Sequence, residues 1–305
     1  MRHRSVHASR RLRLFAVAGA LVAGGLVIAA AVPSGASSSP RVAPRQAAPP
    51  PLSHFLCYRV TAPAFKIPKG VQIGNAIQTA APYALFTPGL GPVSWHCNPA
   101  AKEVLNATGA PPTVTKMVNP NGHLLCWGVD YQPVNKAVVV SNQFGTDQPM
   151  YVTTPLTLCV PSWKKRAGPP DKKVVEPPKL DHFTCYAANP QSTWSEPFGV
   201  KALDEFSAPN FEQLSFATSS APFAPNELCF PTIKVVNGKT YPTQGPDDLG
   251  LACWAIGPTT QWKSWFDQNQ FGQGKVKPAL STSGQPLPEE FCLPSTIAPL
   301  SPKAG

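Results

Sequence analysis

The sequence is poor in charged residues: only 14% of its 305 residues are Asp, Glu, Lys or Arg, and just 16 are acidic. It also has no G-x-S-x-G, no H-E-x-x-H, no glycine-rich phosphate loop and no C-x-x-C pair. These motifs mark serine hydrolases, zinc proteases, nucleotide-binding enzymes and structural zinc sites. We therefore expect no catalytic residue, no metal and no cofactor, and we interpret the chain as a protein that is not an enzyme.

A net charge of +10 first suggests a negatively charged partner such as nucleic acid. Half of that charge comes from the five arginines of residues 1–13, a stretch that has no acidic residue. The rest of the chain is modestly basic and has no arginine-rich stripe, which argues against nucleic-acid binding. The basic residues within 163–179 are typical of a solvated linker, and attraction to anionic envelope polymers is the alternative.

The N-terminus has the order of a secretory signal peptide. The arginine-rich residues 1–13 precede an uncharged apolar run at 14–32 and a small-residue cleavage site after Ala36. We expect a Sec signal, and Ser9-Arg10-Arg11 keeps twin-arginine export as an alternative. The apolar run is just long enough to span a bilayer, so an uncleaved anchor at 14–32 is a second alternative and the one membrane contact expected.

One cysteine-bracketed unit occurs four times. The odd-numbered cysteines lie in apolar segments with an aromatic residue directly after Cys, namely HFLCYRV, HLLCWGV, HFTCYAA and GLACWAI. The even-numbered ones lie in WHCNP, LTLCVPS, NELCFPT and EEFCLPS, where a proline two residues after Cys is predicted to end the strand. Between them the pattern predicts a strand ending in a turn, in which Asn or Asp precedes a large apolar residue by two: Asn75, Asn142, Asp204 and Asn269. Gly145 and Gly272 are expected to supply positive φ in two of these turns.

The units repeat in pairs, because each cysteine of the first half recurs 127 to 133 residues later. Short alternating segments and 38 prolines predict an all-β fold of two tandem domains. Each domain is expected to be a pseudo-twofold pair of three- to four-stranded units forming a small sandwich or barrel. The expected parts are a signal peptide at 1–36, a Pro/Ala/Ser-rich linker at 37–51, domain one at 52–162, a basic Pro-rich linker at 163–179, domain two at 180–296 and a tail at 297–305.

The succession H-x-x-C-Y, N/D-Q-F-G and L-C-x-P resembles a family of secreted bacterial repeat domains of unknown function. The likeness covers most of the chain after residue 51 and is strongest in units two and four. Unit one lacks the Gln-Phe-Gly, and unit four has Gly250 where the other units have His. The resemblance implies an exported, repeated fold and brings no catalytic residue with it.

Eight regularly spaced cysteines in an exported chain predict four disulfides. Pairing within each unit is favoured, because a unit that duplicates should carry its own cross-link. Pairing between the two units of a domain is the alternative. The favoured pairs are Cys57–Cys97, Cys126–Cys159, Cys185–Cys229 and Cys253–Cys292.

Three histidines, His54, His123 and His182, each precede a cysteine by three residues. Such a set suggests a metal site or a base, but repetition in register favours a structural role. His96 has no counterpart in the other units, and Asp204-Glu205 is the one acidic pair within the repeated segments.

Trp262, Trp265 and Phe266 form a dense aromatic run that would suit binding of a sugar or a protein partner. Their position in a predicted strand favours core packing instead. Since every repeated residue has a role in the scaffold, the favoured function is a non-catalytic structural or binding module of the cell envelope or extracellular space. Its expected partner is an envelope polymer or another surface protein. The alternatives are a secreted hydrolase acting on wall or polysaccharide material and a small-ligand site between the two domains.

Overall fold

A computed structural model describes residues 52–78, 83–165, 179–216, 223–259 and 264–300. The described residues contain no helix and belong to one compact unit, so the prediction of an all-β fold is confirmed. The predicted signal peptide, the linker at 37–51 and residues 166–178 of the second linker lie outside the described residues.

In chain order the strands are β1 (His54–Thr61), β2 (Gln72–Gly74), β3 (Gly89–Val104), β4 (Thr113–Thr115), β5 (His123–Asp130), β6 (Lys136–Asn142), β7 (Gly145–Lys165), β8 (His182–Pro190), β9 (Val200–Leu203), β10 (Glu212–Gln213), β11 (Glu227–Val236), β12 (Lys239–Tyr241), β13 (Leu249–Ile256), β14 (Trp265–Asn269), β15 (Gly272–Pro278) and β16 (Glu289–Pro299).

Eight strands pair into a sheet that closes on itself, and we call it the closed sheet. Each unit supplies one strand with its odd-numbered cysteine and one with its even-numbered cysteine. These strands pair antiparallel in the order β1, β3, β5, β7, β8, β11, β13, β16 and back to β1. Within a unit the two cysteines are paired across neighbouring strands, and Cys57 lies opposite Cys97. Between units the register is offset, so that Cys97 lies opposite Leu124 and not opposite a cysteine. Closing a sheet requires a stagger of this kind, because the strands tilt relative to the axis.

The closed sheet draws on all four units at once, in contrast to the expected two domains. Strand β7 of the second unit pairs with β8 of the third, and β16 of the fourth unit pairs with β1 of the first. Residues on both sides of 163–179 therefore share one sheet instead of forming two. A sheet built from half the chain would keep exposed edges, and closure with the other half removes them.

The proline two residues after each even-numbered cysteine does not end its strand, so this prediction is wrong. Strand β3 continues from Pro99 to Val104, and β11 continues from Pro231 to Val236. In every unit the pairing toward the next unit stops at the cysteine, so no ladder partner faces the proline nitrogen. A strand tolerates proline where one of its edges is unpaired.

The other strands lie against the outer face of the closed sheet. Side chains alternate along a strand, so the cysteines point inward and their neighbours point outward. Four of these outer strands pair with the extension of a cysteine strand two units away: β2 with β11, β6 with β16, β9 with β3 and β14 with β7. The aromatic residue after each odd-numbered cysteine is buried in the core between these layers: Tyr58, Trp127, Tyr186 and Trp254.

Three of the predicted turns are held by their Asn or Asp side chains. The Oδ1 atoms of Asn142, Asp204 and Asn269 accept hydrogen bonds of 2.8 to 2.9 Å from the backbone N–H two residues later. Gly272 has the expected positive φ, at 136°. Gly145 does not have a positive φ. A side chain is excluded there by lack of space, because a Cβ would lie 2.9 Å from the Trp194 ring.

No helix in the described part of the chain is long and apolar enough to cross a membrane.

Candidate functional site

The inside of the closed sheet holds four disulfides at one level. The structure joins the cysteines within each unit, as Cys57–Cys97, Cys126–Cys159, Cys185–Cys229 and Cys253–Cys292. At three of the four junctions between units, sulfurs of neighbouring disulfides lie 3.8 to 4.0 Å apart. The disulfides thus form a ring across the interior. Four disulfides in one fold indicate an oxidising, extracytoplasmic compartment.

Two carboxyl groups lie against one side of this disulfide ring. Glu227 and Glu290 stand two residues before their cysteines, where the other units have Trp95 and Thr157. Each glutamate is 6% exposed, and burial raises the pKa of both carboxyl groups. A hydrogen bond with Glu290 raises the pKa of Glu227 further, because it needs a proton on one of the two carboxyl groups. The free space beside them is about 20 Å³, which is room for one water molecule.

A second polar group lies between the closed sheet and the outer strands, with the fully buried Asn98 at its centre. Asn98 Oδ1 accepts a hydrogen bond from Lys164 Nζ at 2.7 Å. The same oxygen lies 2.8 Å from His96 Nε2 and 3.1 Å from His123 Nδ1. Asn98 Nδ2 donates to Asp204 Oδ2 at 2.7 Å. We call the residues of this group the Asn98 cluster: His96, Asn98, His123, Lys164, Asp204, Glu205 and Asp267.

Four members of the Asn98 cluster form two close pairs. His96 Nδ1 lies 2.6 Å from Asp267 Oδ2, and both side chains are fully buried. Lys164, whose side chain is 1% exposed, forms an ion pair with Glu205, which is 36% exposed. Burial and the neighbouring Lys164 charge hold the pKa of His123 well below its usual value, so this imidazole is neutral. A neutral His123 with its proton on Nδ1 donates to Asn98 Oδ1.

The place of the Asn98 cluster recurs four times in the fold, and the residues that match Asn98 and Asp267 elsewhere are apolar. Val160, Phe230 and Leu293 correspond to Asn98, and Ile73, Val140 and Ala202 correspond to Asp267. The sequence marked His96 as a residue without a counterpart and Asp204-Glu205 as the one acidic pair within the repeated segments, and the structure brings them together. The central Asn98 was missed. Departure from the repeat at one position out of four is the signal that identifies it.

Two of the three repeated histidines, His54 and His182, contact the turns of other units. His54 Nε2 accepts a hydrogen bond from Gln143 Nε2 at 2.8 Å, and His182 Nε2 accepts one from Gln270 Nε2 at 2.7 Å. Neither contact resembles a metal site, since the Nε2 atom of each imidazole accepts a hydrogen bond from a glutamine side chain. These contacts support the structural interpretation of His54 and His182, whereas His123 belongs to the Asn98 cluster.

A lysine follows each of the first three even-numbered cysteines by five residues, and sequence analysis did not recognise it as repeated. Lys102 and Lys234 are buried, and their Nζ atoms have no hydrogen-bond partner among the described residues. They lie 5.1 Å from the Phe144 ring centre and 4.4 Å from that of Phe271. Burial lowers the pKa of Lys102 to about 7 and that of Lys234 to about 6. The third lysine of this set is Lys164.

Of the predicted aromatic run, Trp265 and Phe266 are described, and Trp262 lies outside the described residues. Trp265 is 1% exposed and packs at 4.6 Å from His96 and 5.0 Å from Phe206, between ring centres. It forms a wall of the Asn98 cluster and is not available to stack on a ligand at the surface. Phe266 is partly exposed.

A cavity of about 200 Å³ lies where the odd-numbered cysteine strands begin, and both halves of the chain line it. Leu52 and Leu180 give it apolar walls. Ser53 and Asp181 accept hydrogen bonds from the backbone of neighbouring loops. These two polar side chains therefore hold loops in place.

No protein-family model matches the chain, and no match exists among curated proteins or among solved structures. The resemblance to secreted bacterial repeat domains accordingly stays a prediction. Function has to be inferred from the geometry of the chain itself.

Proposed function

We propose that the chain is a non-catalytic structural or binding module of the extracellular space or the cell envelope. The ring of four disulfides carries this proposal, because it needs an oxidising compartment and ties every unit to itself. The bridged cysteines are 33 to 44 residues apart. In the chain-entropy model each such bridge stabilises the fold by about 3–4 kcal/mol. Such a fold suits a scaffold that must persist outside the cell.

The buried carboxyl pair is the best argument for the alternative, a secreted hydrolase. Glycosidases hold their two carboxyl groups roughly 5 Å or more apart, so that a sugar or a water fits between them. Glu227 and Glu290 are instead hydrogen-bonded to each other, beside about 20 Å³ of free space. No substrate fits at this pair, and the geometry favours a role in packing.

A small-ligand site between the two halves has one supporting observation, the cavity of about 200 Å³ beside Leu52 and Leu180. Ligand pockets are commonly about 300–1,000 Å³ and offer polar groups that are free to orient the ligand. Here Ser53 and Asp181 already bind loop backbone. Contact of a polymer or protein with the outer surface is therefore the better-supported mode of binding.

Retention of the oxidised protein on isolated wall and membrane fractions tests the proposal. We expect the protein to sediment with one of these fractions and to lose this property once its disulfides are reduced. The double variant Glu227→Gln with Glu290→Gln should sediment like the wild type, and neither protein should release reducing sugar from wall polysaccharide. Sugar release that the double variant abolishes would establish the hydrolase instead. Failure to bind every fraction would overturn the envelope role.

A further inference from the structure

We propose that Lys164 and Asn98 form an isopeptide bond, made by the folded chain itself inside the Asn98 cluster. The amine and the amide already touch, since Lys164 Nζ lies 2.7 Å from Asn98 Oδ1. Asn98 is fully buried and the Lys164 side chain is 1% exposed, so water is excluded from both groups. Holding the reactants together in this way replaces a collision in solution with a step within one molecule.

Three nitrogen atoms that can carry a proton surround the carbonyl oxygen of Asn98. His96 Nε2 and His123 Nδ1 lie 2.8 and 3.1 Å from it, in addition to the lysine. Asp267, at 2.6 Å from His96 Nδ1, fixes the orientation of that imidazole. Donors in these positions polarise the amide and stabilise the negative oxygen that forms when an amine adds to its carbon.

The leaving nitrogen of Asn98 faces a carboxylate. Asp204 Oδ2 accepts from Asn98 Nδ2 at 2.7 Å and from the Tyr58 hydroxyl at 2.8 Å. Its other oxygen accepts backbone N–H groups of the turn, at 2.8 Å from Phe206 and 3.0 Å from Ser207. Asp204 is thus fixed at the point where a proton must reach the departing nitrogen.

Glu205 and two aromatic rings surround the side-chain amine of Lys164. The Lys164 amine lies 3.9 Å from the Phe206 ring centre and 5.2 Å from that of Trp265. These ring faces stabilise the ammonium form of Lys164. The attacking neutral amine therefore requires a base, and the paired carboxylate of Glu205 is the group that takes the ammonium proton. Glu205 is 36% exposed and connects this buried site with solvent.

The reaction needs no oxidant, metal or cofactor. Neutral Lys164 Nζ attacks Asn98 Cγ, the new C–N bond forms, and the carbonyl electrons move to Oδ1. Asp204 takes a proton from Nζ and passes it to Nδ2. The Cγ–Nδ2 bond then breaks, and the nitrogen leaves with its electron pair as ammonia, which takes up the proton held by Glu205. One primary amide is lost, one secondary amide is gained and one ammonium ion is released.

The repeat supplies an internal comparison. Lys102 and Lys234 occupy the same position in their units and are equally buried. The residues that correspond to Asn98 in the other units are Val160, Phe230 and Leu293, which have no acyl group to attack. The expected number of Lys–Asn bonds is therefore one and not three.

Intact-mass measurement of the oxidised protein tests the proposal. After allowance for four disulfides, the mass should be lower by one ammonia, and proteolysis should yield one branched peptide joining β3 to β7. The variant Lys164→Met should lose this change, whereas Lys234→Met, a matched buried lysine, should keep it. A folded, oxidised wild type of full mass would overturn the proposal. Loss of one water would assign the bond to Glu205 instead and would also overturn it.

A conservative variant keeps the test valid if Lys164→Met fails to fold. Asn98→Asp retains size and an acyl group, so its expected product lacks one water instead of one ammonia. Asp204→Asn should fold with the same disulfides and form the bond at least tenfold more slowly, as followed by mass over time. An unchanged rate in Asp204→Asn would exclude the assigned role of this carboxylate. These readouts are independent of whether the module binds an envelope fraction.

Discussion

The interior of the closed sheet and the Asn98 cluster use opposite faces of the same strand. Cys97 points inward to the disulfide ring, and Asn98, the next residue, points outward to the cluster. The interior is repeated, because each unit contributes the same two cysteines in the same register. The cluster is unique, because Asn98 and Asp267 stand at positions where the other units have apolar residues. Repetition spreads stability evenly, whereas departure from the repeat concentrates polar chemistry at one place.

Removal of a disulfide should have the largest effect and tests whether the interior is evenly stabilised. Cys126→Ala with Cys159→Ala opens a loop between cysteines 33 residues apart, and Cys253→Ala with Cys292→Ala opens one of 39. Each double variant should lose about 3–4 kcal/mol of unfolding free energy, because the unfolded chain regains similar freedom. Urea unfolding without reductant measures both values. Costs that differ severalfold would show that the units are not equivalent.

A smaller effect is expected at Gly250, which replaces the repeated histidine in unit four. A Cβ at this position would collide with the backbone oxygen of Cys229 and lie 2.8 Å from Ile297 Cδ1. Gly250→Ala should therefore lower the unfolding free energy by about 1–3 kcal/mol. Gly128→Ala is the matched control in the same sheet, because its nearest contact would be 3.9 Å away. Equal costs in the two variants would contradict a steric reason for Gly250.

The smallest effect should be the pH dependence that comes from Glu227 and Glu290. Burial raises the pKa of both carboxyl groups above 4.5, so the folded state keeps a proton that the unfolded chain releases. The stability from this pair is present below pH 4.5 and is lost as the pH rises through the raised pKa. The double variant Glu227→Gln with Glu290→Gln lacks this loss. The unfolding free energy of the wild type minus that of the variant should therefore fall as the pH rises. A rise in this difference would contradict the raised pKa of the carboxyl pair.

Sequence reasoning succeeded where the interaction is local to a unit. The within-unit disulfides and the turn at Asn142 depend on spacings that every unit repeats. Closure of the eight-stranded sheet was not predicted, because the spacing of the cysteines does not specify which strands of different units pair. The structural effect of Pro99 was misjudged for the same reason, since it depends on where the pairing with β5 stops.

The Asn98 cluster was only partly predictable. Its members are far apart in sequence, with 106 residues between Asn98 and Asp204. The sequence shows that His96 has no counterpart and that Asp204-Glu205 is the one acidic pair of the repeated segments. Only the packing of an outer strand from one unit on a cysteine strand of another brings them together.

The pairing of β1 with β16 also sets when the fold can form. Cys57 and Cys292 lie side by side although 235 residues separate them. During synthesis the first strand made must wait for the last one, and every intermediate presents an open edge on which another chain could add. Contacts of such long range make folding slow. The four disulfides close within units and do not require the pairing of β1 with β16, so a chain can be fully cross-linked and still lack its closed sheet.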